Sequence, residues 1–249
     1  MPTRWRASTP AWISGAISSV ETASSAPTAS KPTRAAVEPI AARPVTVRPI
    51  TVKLITIVKP LAFAAALLPA AALVRGFFLN DLTANPGDYI TDQTGTWTLG
   101  LLFASLAVTP IRRLTRWNDA IKLRRMLGLF AFFYVVLHLL TWIVFVHYFE
   151  VGFMVEDVVK RPFITVGMGG FLILLALAVT SNRFSIRKLA RRWQSLHRLA
   201  YVAGVAGVVH FWWLVKADTT EPIRWAAGLT VLLGIRAWWT LRKRALSRS

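Results

Sequence analysis

Residues 125–148 read RMLGLFAFFYVVLHLLTWIVFVHY: an arginine, then an apolar run interrupted before its far end only by His138 among charged or imidazole side chains. The run exceeds the ~20 residues that span a bilayer. Hydrocarbon offers no partner for free N–H and C=O groups, so the segment must be helical. Residues 196–215, LHRLAYVAGVAGVVHFWWLV, repeat the pattern, with His197 at the start and His210 toward the far end. Two apolar spans carrying imidazoles set the expected architecture: a membrane helix bundle around whatever those histidines hold.

Working outward, four more apolar stretches appear, at roughly 57–79, 95–111, 163–181 and 222–241. With 125–148 and 196–215 they predict an all-α polytopic bundle of six transmembrane helices. Composition agrees: 55% of residues are hydrophobic, 16% are charged, and mean hydropathy is +0.49. The net charge of +19 is spread in short clusters between apolar runs, which argues against a nucleic-acid surface and for a membrane rim. Cysteine is absent, which removes iron–sulfur clusters, thiolate-bound metal and covalent haem attachment, leaving histidine and carboxylate as metal ligands. Residues 1–50, rich in Ser, Thr, Ala, Pro and Arg, have no periodic apolar face and are expected to be a disordered or targeting extension. Residues 51–249 form the expected membrane domain, with neither a P-loop nor a GxGxxG after a strand.

Loop charge sets the expected orientation. Arg112, Arg113, Arg116, Lys122, Arg124 and Arg125 fall between spans two and three, and Arg183, Arg187, Lys188, Arg191 and Arg192 between spans four and five. The alternate loops carry Asp81, Asp88, Asp92, Glu150, Glu156, Asp157, Asp218 and Glu221, with Lys160, Arg161 and Lys216 as their few cations. The positive-inside rule makes the basic loops cytoplasmic. Arg242, Lys243, Arg244 and Arg248 then place the C-terminus inside, and an even number of spans places the N-terminus there too.

Only four histidines occur. An ionisable side chain within a span marks a functional site by default, although a lone histidine also serves as a helix–helix hydrogen-bonding group. At 1.5 Å per residue, His138 and His210 each lie roughly 20 Å from the basic end of their spans. They share one level, in the outer half of the membrane, where two imidazoles on neighbouring helices supply both axial nitrogens of a haem iron. Ala203, Gly204, Ala206 and Gly207 nearby leave room for a macrocycle or simply allow close helix packing. His197 stands alone at the inner rim, opposite Arg124 and Arg125, which either face propionates of an inner haem or anchor the helix at the interface. On an ideal helix His197 and His210 are about 140° apart, so either the glycine stretch distorts the helix or the two face different surfaces. His147 is expected to be a solvated interface residue, and most of the eleven tryptophans to be interfacial.

The motifs Ala84-Asn85-Pro86, Thr94-Gly95, Thr109-Pro110, Arg124-Arg125-Met126-Leu127-Gly128-Leu129, His138, Lys160-Arg161-Pro162 with Thr165-Val166-Gly167, Trp193 with Leu196-His197 and Tyr201, His210 and Val215-Lys216 follow one another between about residues 54 and 244. In that order the chain resembles the MsrQ (YedZ) family, haem-binding membrane subunits of the bacterial methionine sulfoxide reductase system, within the ferric-reductase-like transmembrane superfamily. The resemblance implies one or two haem b groups held by His138, His197 and His210, together with FMN, for which no residue here marks a site. It also implies an inner-membrane electron conduit, fed by the respiratory quinone pool or a cytoplasmic flavin reductase and serving a periplasmic molybdopterin-dependent methionine sulfoxide reductase. Wider superfamily members have four histidines, and this chain lacks the fourth. Two other functions compete: a self-contained ferric or quinone reductase, and a transporter with a histidine proton relay. The relay would need ionisable residues at mid-span on several helices, and outside the histidines these are almost absent.

Overall fold

In the computed structural model, residues 54–215 and 218–246 are described. The N-terminal extension, Lys216 and Arg248 lie outside them. Among the described residues there is no strand, and nine α-helices run in order: α1 (Leu54–Phe78), α2 (Pro86–Thr115), α3 (Ile121–Thr141), α4 (Val151–Lys160), α5 (Pro162–Val179), α6 (Arg183–Leu189), α7 (Arg191–Leu196), α8 (Leu199–Leu214) and α9 (Thr220–Leu246). Each of the six apolar stretches is largely helical, the fifth with a turn at His197 and Arg198. Among the described residues four segments, Leu54–Phe78, Pro86–Thr115, Asn118–Val146 and Pro162–Val179, are long and apolar enough to cross a membrane. The 16 residues of α8 reach roughly 24 Å, and α9 carries charge at both ends.

Boundaries follow local chemistry more than hydropathy. α2 starts at Pro86, not near 95, because Asn85 caps it through a 3.3 Å bond from the Asp88 N–H to the Asn85 Oδ1, and Pro86 occupies a first-turn position where no N–H is required. α3 runs on through a widened turn, Trp142–Val146, to His147. α6 and α7 are parted at Ala190, whose φ of 44° breaks the helix. Both are basic, whereas α4 lies at the opposite end of the bundle, between α3 and α5.

A shared core of Ala66, Ala70, Leu101, Leu102, Ala131, Tyr134, Leu174, Leu177 and Ala203 joins α1, α2, α3, α5 and α8. Leu68, Phe78, Val231 and Trp238 are more than half exposed. An apolar outer surface of this kind suits hydrocarbon and would be untenable in water.

Tyr134, with no exposed surface, shows how the core tolerates proline. Pro69 removes one donor from the hydrogen-bond ladder of α1. One residue further on, the Tyr134 hydroxyl sits inside that ladder, accepting from the Ala70 N–H and donating to the Ala66 carbonyl, both at 2.9 Å. It satisfies two groups that lipid cannot. Tyr134→Phe is therefore expected to cost about 1–3 kcal/mol, seen as a lower thermal midpoint of the full chain in detergent. An unchanged midpoint would mean that α1 closes the Ala70–Ala66 bond unaided.

Candidate cofactor site

His138 on α3 and His210 on α8 meet with ring centroids 6.2 Å apart and planes at 87°. The Nδ1 of His138 lies 2.9 Å from the Thr91 carbonyl on α2, and the Nδ1 of His210 lies 2.7 Å from the Phe163 carbonyl on α5. A carbonyl only accepts, so both Nδ1 atoms carry a proton, and in the neutral imidazoles both Nε2 atoms keep their lone pair. This is the arrangement of metal-binding imidazoles, whose second nitrogen is anchored on a backbone carbonyl. Two imidazoles bonded at about 2.0 Å to opposite sides of one metal place their centroids a little over ~6 Å apart. The observed centroid separation is of that size.

Each histidine stands 47 residues after its carbonyl, and in each case a glycine lies one helical turn beyond that carbonyl, on the same face. A Cβ on Gly95 would lie 3.2 Å from the His138 Nδ1, and one on Gly167 would lie 2.7 Å from the His210 Nδ1. The pairs α2–α3 and α5–α8 thus repeat one device: a carbonyl to hold the ring and a missing side chain to let it approach. Thr94-Gly95 and Thr165-Val166-Gly167 stand out in the sequence as motifs, but this role does not. The repeated glycine-to-histidine spacing was the available signal.

The two rings line a cavity of about 670 Å³ walled by α2, α3, α5 and α8. Its lining runs from exposed Asp88 and Arg161 near α4 down to buried Leu102 and Leu174, and small Gly170, Ala203 and Gly207 hold it open. The volume is that of a site for a large organic cofactor. Among the described residues no three His, Asp or Glu side chains converge as a metal cluster. Two anchored imidazoles beside a broad, mostly apolar cavity would suit a large cofactor that carries its own metal.

Comparison with known proteins points the same way. The family described as Ferric reductase like transmembrane component matches residues 94–208, from α2 into α8. The "Protein-methionine-sulfoxide reductase heme-binding subunit MsrQ" of Herminiimonas arsenicoxydans is 48% identical over 192 residues, 76% of this chain and 88% of the relative. The same-named proteins of Bordetella pertussis and Rhodospirillum rubrum are each 47% identical, covering 77% and 75% of this chain and 94% and 90% of theirs. The chain belongs to the MsrQ family. No solved structure matches.

The remaining histidines of this MsrQ-family chain lie apart from the pair. His197 sits in the short link between α7 and α8, not within α8, so the 140° separation on one ideal helix does not apply. Its Nδ1 faces the Trp193 carbonyl at 3.2 Å, its Nε2 the Ser181 hydroxyl at 3.3 Å, and the Trp193 ring stacks on it at 3.9 Å. The guanidinium of half-buried Arg124 lies 3.5 Å from the Thr109 hydroxyl, while Arg125 is exposed. His147 is a correction: it is buried, 3.1 Å from Asp157, which in turn pairs with Arg161 at 3.1 Å. The small residues of α8 divide their work. Ala203 and Gly207 line the cavity, whereas Gly204 packs toward Leu229 of α9.

Proposed function

We propose that this chain is the haem b-binding electron-transfer subunit of a methionine sulfoxide reductase system. In this reading it lies in the bacterial inner membrane with six spans and both termini cytoplasmic. It takes electrons from quinol or from a cytoplasmic flavin reductase, with FMN as a second cofactor, and passes them to a periplasmic molybdopterin-dependent partner. The partner carries out the chemistry, in which sulfoxide, two electrons and two protons give thioether and water.

The observation that carries the reading is the meeting of His138 and His210 at 6.2 Å with both Nδ1 atoms anchored on carbonyls. Haem bound there would supply reversible one-electron chemistry. The protein's part is to fix the two rings before binding, raise the basicity of each Nε2 through its anchored partner nitrogen, and surround the group with apolar walls. In this orientation basic α6 and α7 lie at the cytoplasmic end, in keeping with the positive-inside rule, and the histidine pair lies nearer the periplasmic end and its acceptor. His197, with Arg124, is the candidate for a second, inner haem, which would have to displace Ser181 from the Nε2.

Two measurements test this. Dithionite-reduced-minus-oxidised spectra of the full chain, purified from cells supplied with haem, should show b-type bands, and a colourless protein would sink the reading. In membrane vesicles, reduction of protein-bound methionine sulfoxide should require both this chain and the periplasmic partner. Ferric or quinone reduction by this chain alone, with no dependence on the partner, would favour the self-contained reductase.

A further inference from the structure

A second cavity, of about 70 Å³, lies between α2, α8 and α9, and two of its lining residues are Arg113 and Arg236. The Arg113 guanidinium stands 4.8 Å over the Trp239 ring, and the Arg236 guanidinium 4.6 Å over the Tyr201 ring. Of the described cations, Lys122, Lys160, Arg161 and Arg224 pair with carboxylates, whereas Arg113 and Arg236 are set apart by being stacked on aromatic rings that line one cavity. Among the described residues no carboxylate pairs with Arg113 or Arg236. Arg236 lies near the C-terminal end of the apolar stretch 222–241 and is half-buried, whereas Arg113 is exposed.

Stacking on an aromatic face leaves the guanidinium edge, with its N–H donors, free for a ligand. Two such edges on one small cavity, with the Thr240 hydroxyl also lining it, form a receptor for a compact oxyanion bound through paired N–H···O bonds. The cavity is about a tenth of the size of the histidine cavity, too small for a porphyrin or a flavin ring.

We propose that Arg113 and Arg236 bind a phosphate ester group, mono- or diester, at the cytoplasmic rim of the membrane. The placement at that rim rests on the orientation proposed above. An anionic phospholipid headgroup and a soluble phosphate ester share the recognised chemistry, and the ligand completes the charge balance that the protein leaves open.

The test uses the full-length, haem-loaded chain in neutral detergent. Its thermal midpoint is followed as phosphatidylglycerol, phosphatidylcholine, inorganic phosphate or FMN is titrated in. A saturable rise with phosphatidylglycerol but not phosphatidylcholine supports a lipid headgroup, and one with phosphate or FMN supports a soluble ester. In either case Arg113→Gln with Arg236→Gln should weaken binding about ten- to a hundredfold, and Arg236→Lys, which keeps charge but loses the fork, should fall between. No response of the wild type to any of the probes overturns the proposal, as does an equal response in the double glutamine variant. A reduced haem-to-protein ratio in that variant also overturns it, by assigning the pair to haem carboxylates. Because haem content is read separately, failure here is distinct from failure of the cytochrome reading.

Discussion

Alanine at His138 or at His210 is expected to abolish one and the same b-type absorbance component, with the two single variants and the double variant indistinguishable. The two rings lie 6.2 Å apart, so each variant leaves one nitrogen where two-sided ligation needs a pair. The loss should be near complete, since removing even a supporting hydrogen bond to a metal-bound histidine typically costs 10–100-fold in affinity. His197→Ala should leave this component in place, because His197 is engaged with Trp193 and Ser181 away from the pair. Unchanged far-ultraviolet helicity in each variant separates ligand loss from unfolding. If His138→Ala and His210→Ala removed different components, or neither did, the shared-haem assignment would fall.

The histidine pair was legible from sequence because depth along a membrane helix is simple arithmetic. Loop charge gave a common reference plane, and 1.5 Å per residue did the rest. The six helical stretches were legible for a related reason: lipid forbids other backbone solutions over such runs. What escaped is tertiary or local. Hydropathy could not see that Asn85 and Pro86 start α2 a full two turns early, or that Ala190 divides α6 from α7. His147 looked solvated because its partner, Asp157, lies on α4, a helix of ten residues that is too short to count as a span. Helical-wheel arithmetic on His197 and His210 presumed a continuous helix that the structure interrupts between Leu196 and Leu199.

The glycines are the more instructive omission. In a membrane chain, glycine has a ready explanation as a helix-packing residue, and Gly204 near Leu229 fits it. Gly95 and Gly167 face imidazoles instead of a helix surface. Backbone carbonyls are invisible in a sequence, so the atoms that orient the histidines carry no side-chain signature of their own.

The two glycines should therefore respond to alanine unequally. A Cβ at position 167 would stand 2.7 Å from the His210 Nδ1 and 2.9 Å from its Cε1, a contact that real Cβ atoms essentially never make. The ring cannot retreat freely, because the same Nδ1 is held at 2.7 Å by the Phe163 carbonyl on the same helix as Gly167. Relief requires either that α5 and α8 part or that the imidazole turns, and either movement breaks the anchor and misaims the Nε2. Gly167→Ala is expected to lower haem affinity by about 10–100-fold, measured as haem retained per protein during dilution or competition with apomyoglobin. At position 95 the corresponding contact is 3.2 Å, which a shift of a few tenths of an ångström relieves, so Gly95→Ala should be clearly milder. Equal effects, or a larger one at 95, would contradict the anchoring geometry. Gly204→Ala, whose Cβ would meet Leu229, Leu106 and Phe103 at ordinary van der Waals distances and lies off the histidines, should retain haem and calibrate the series.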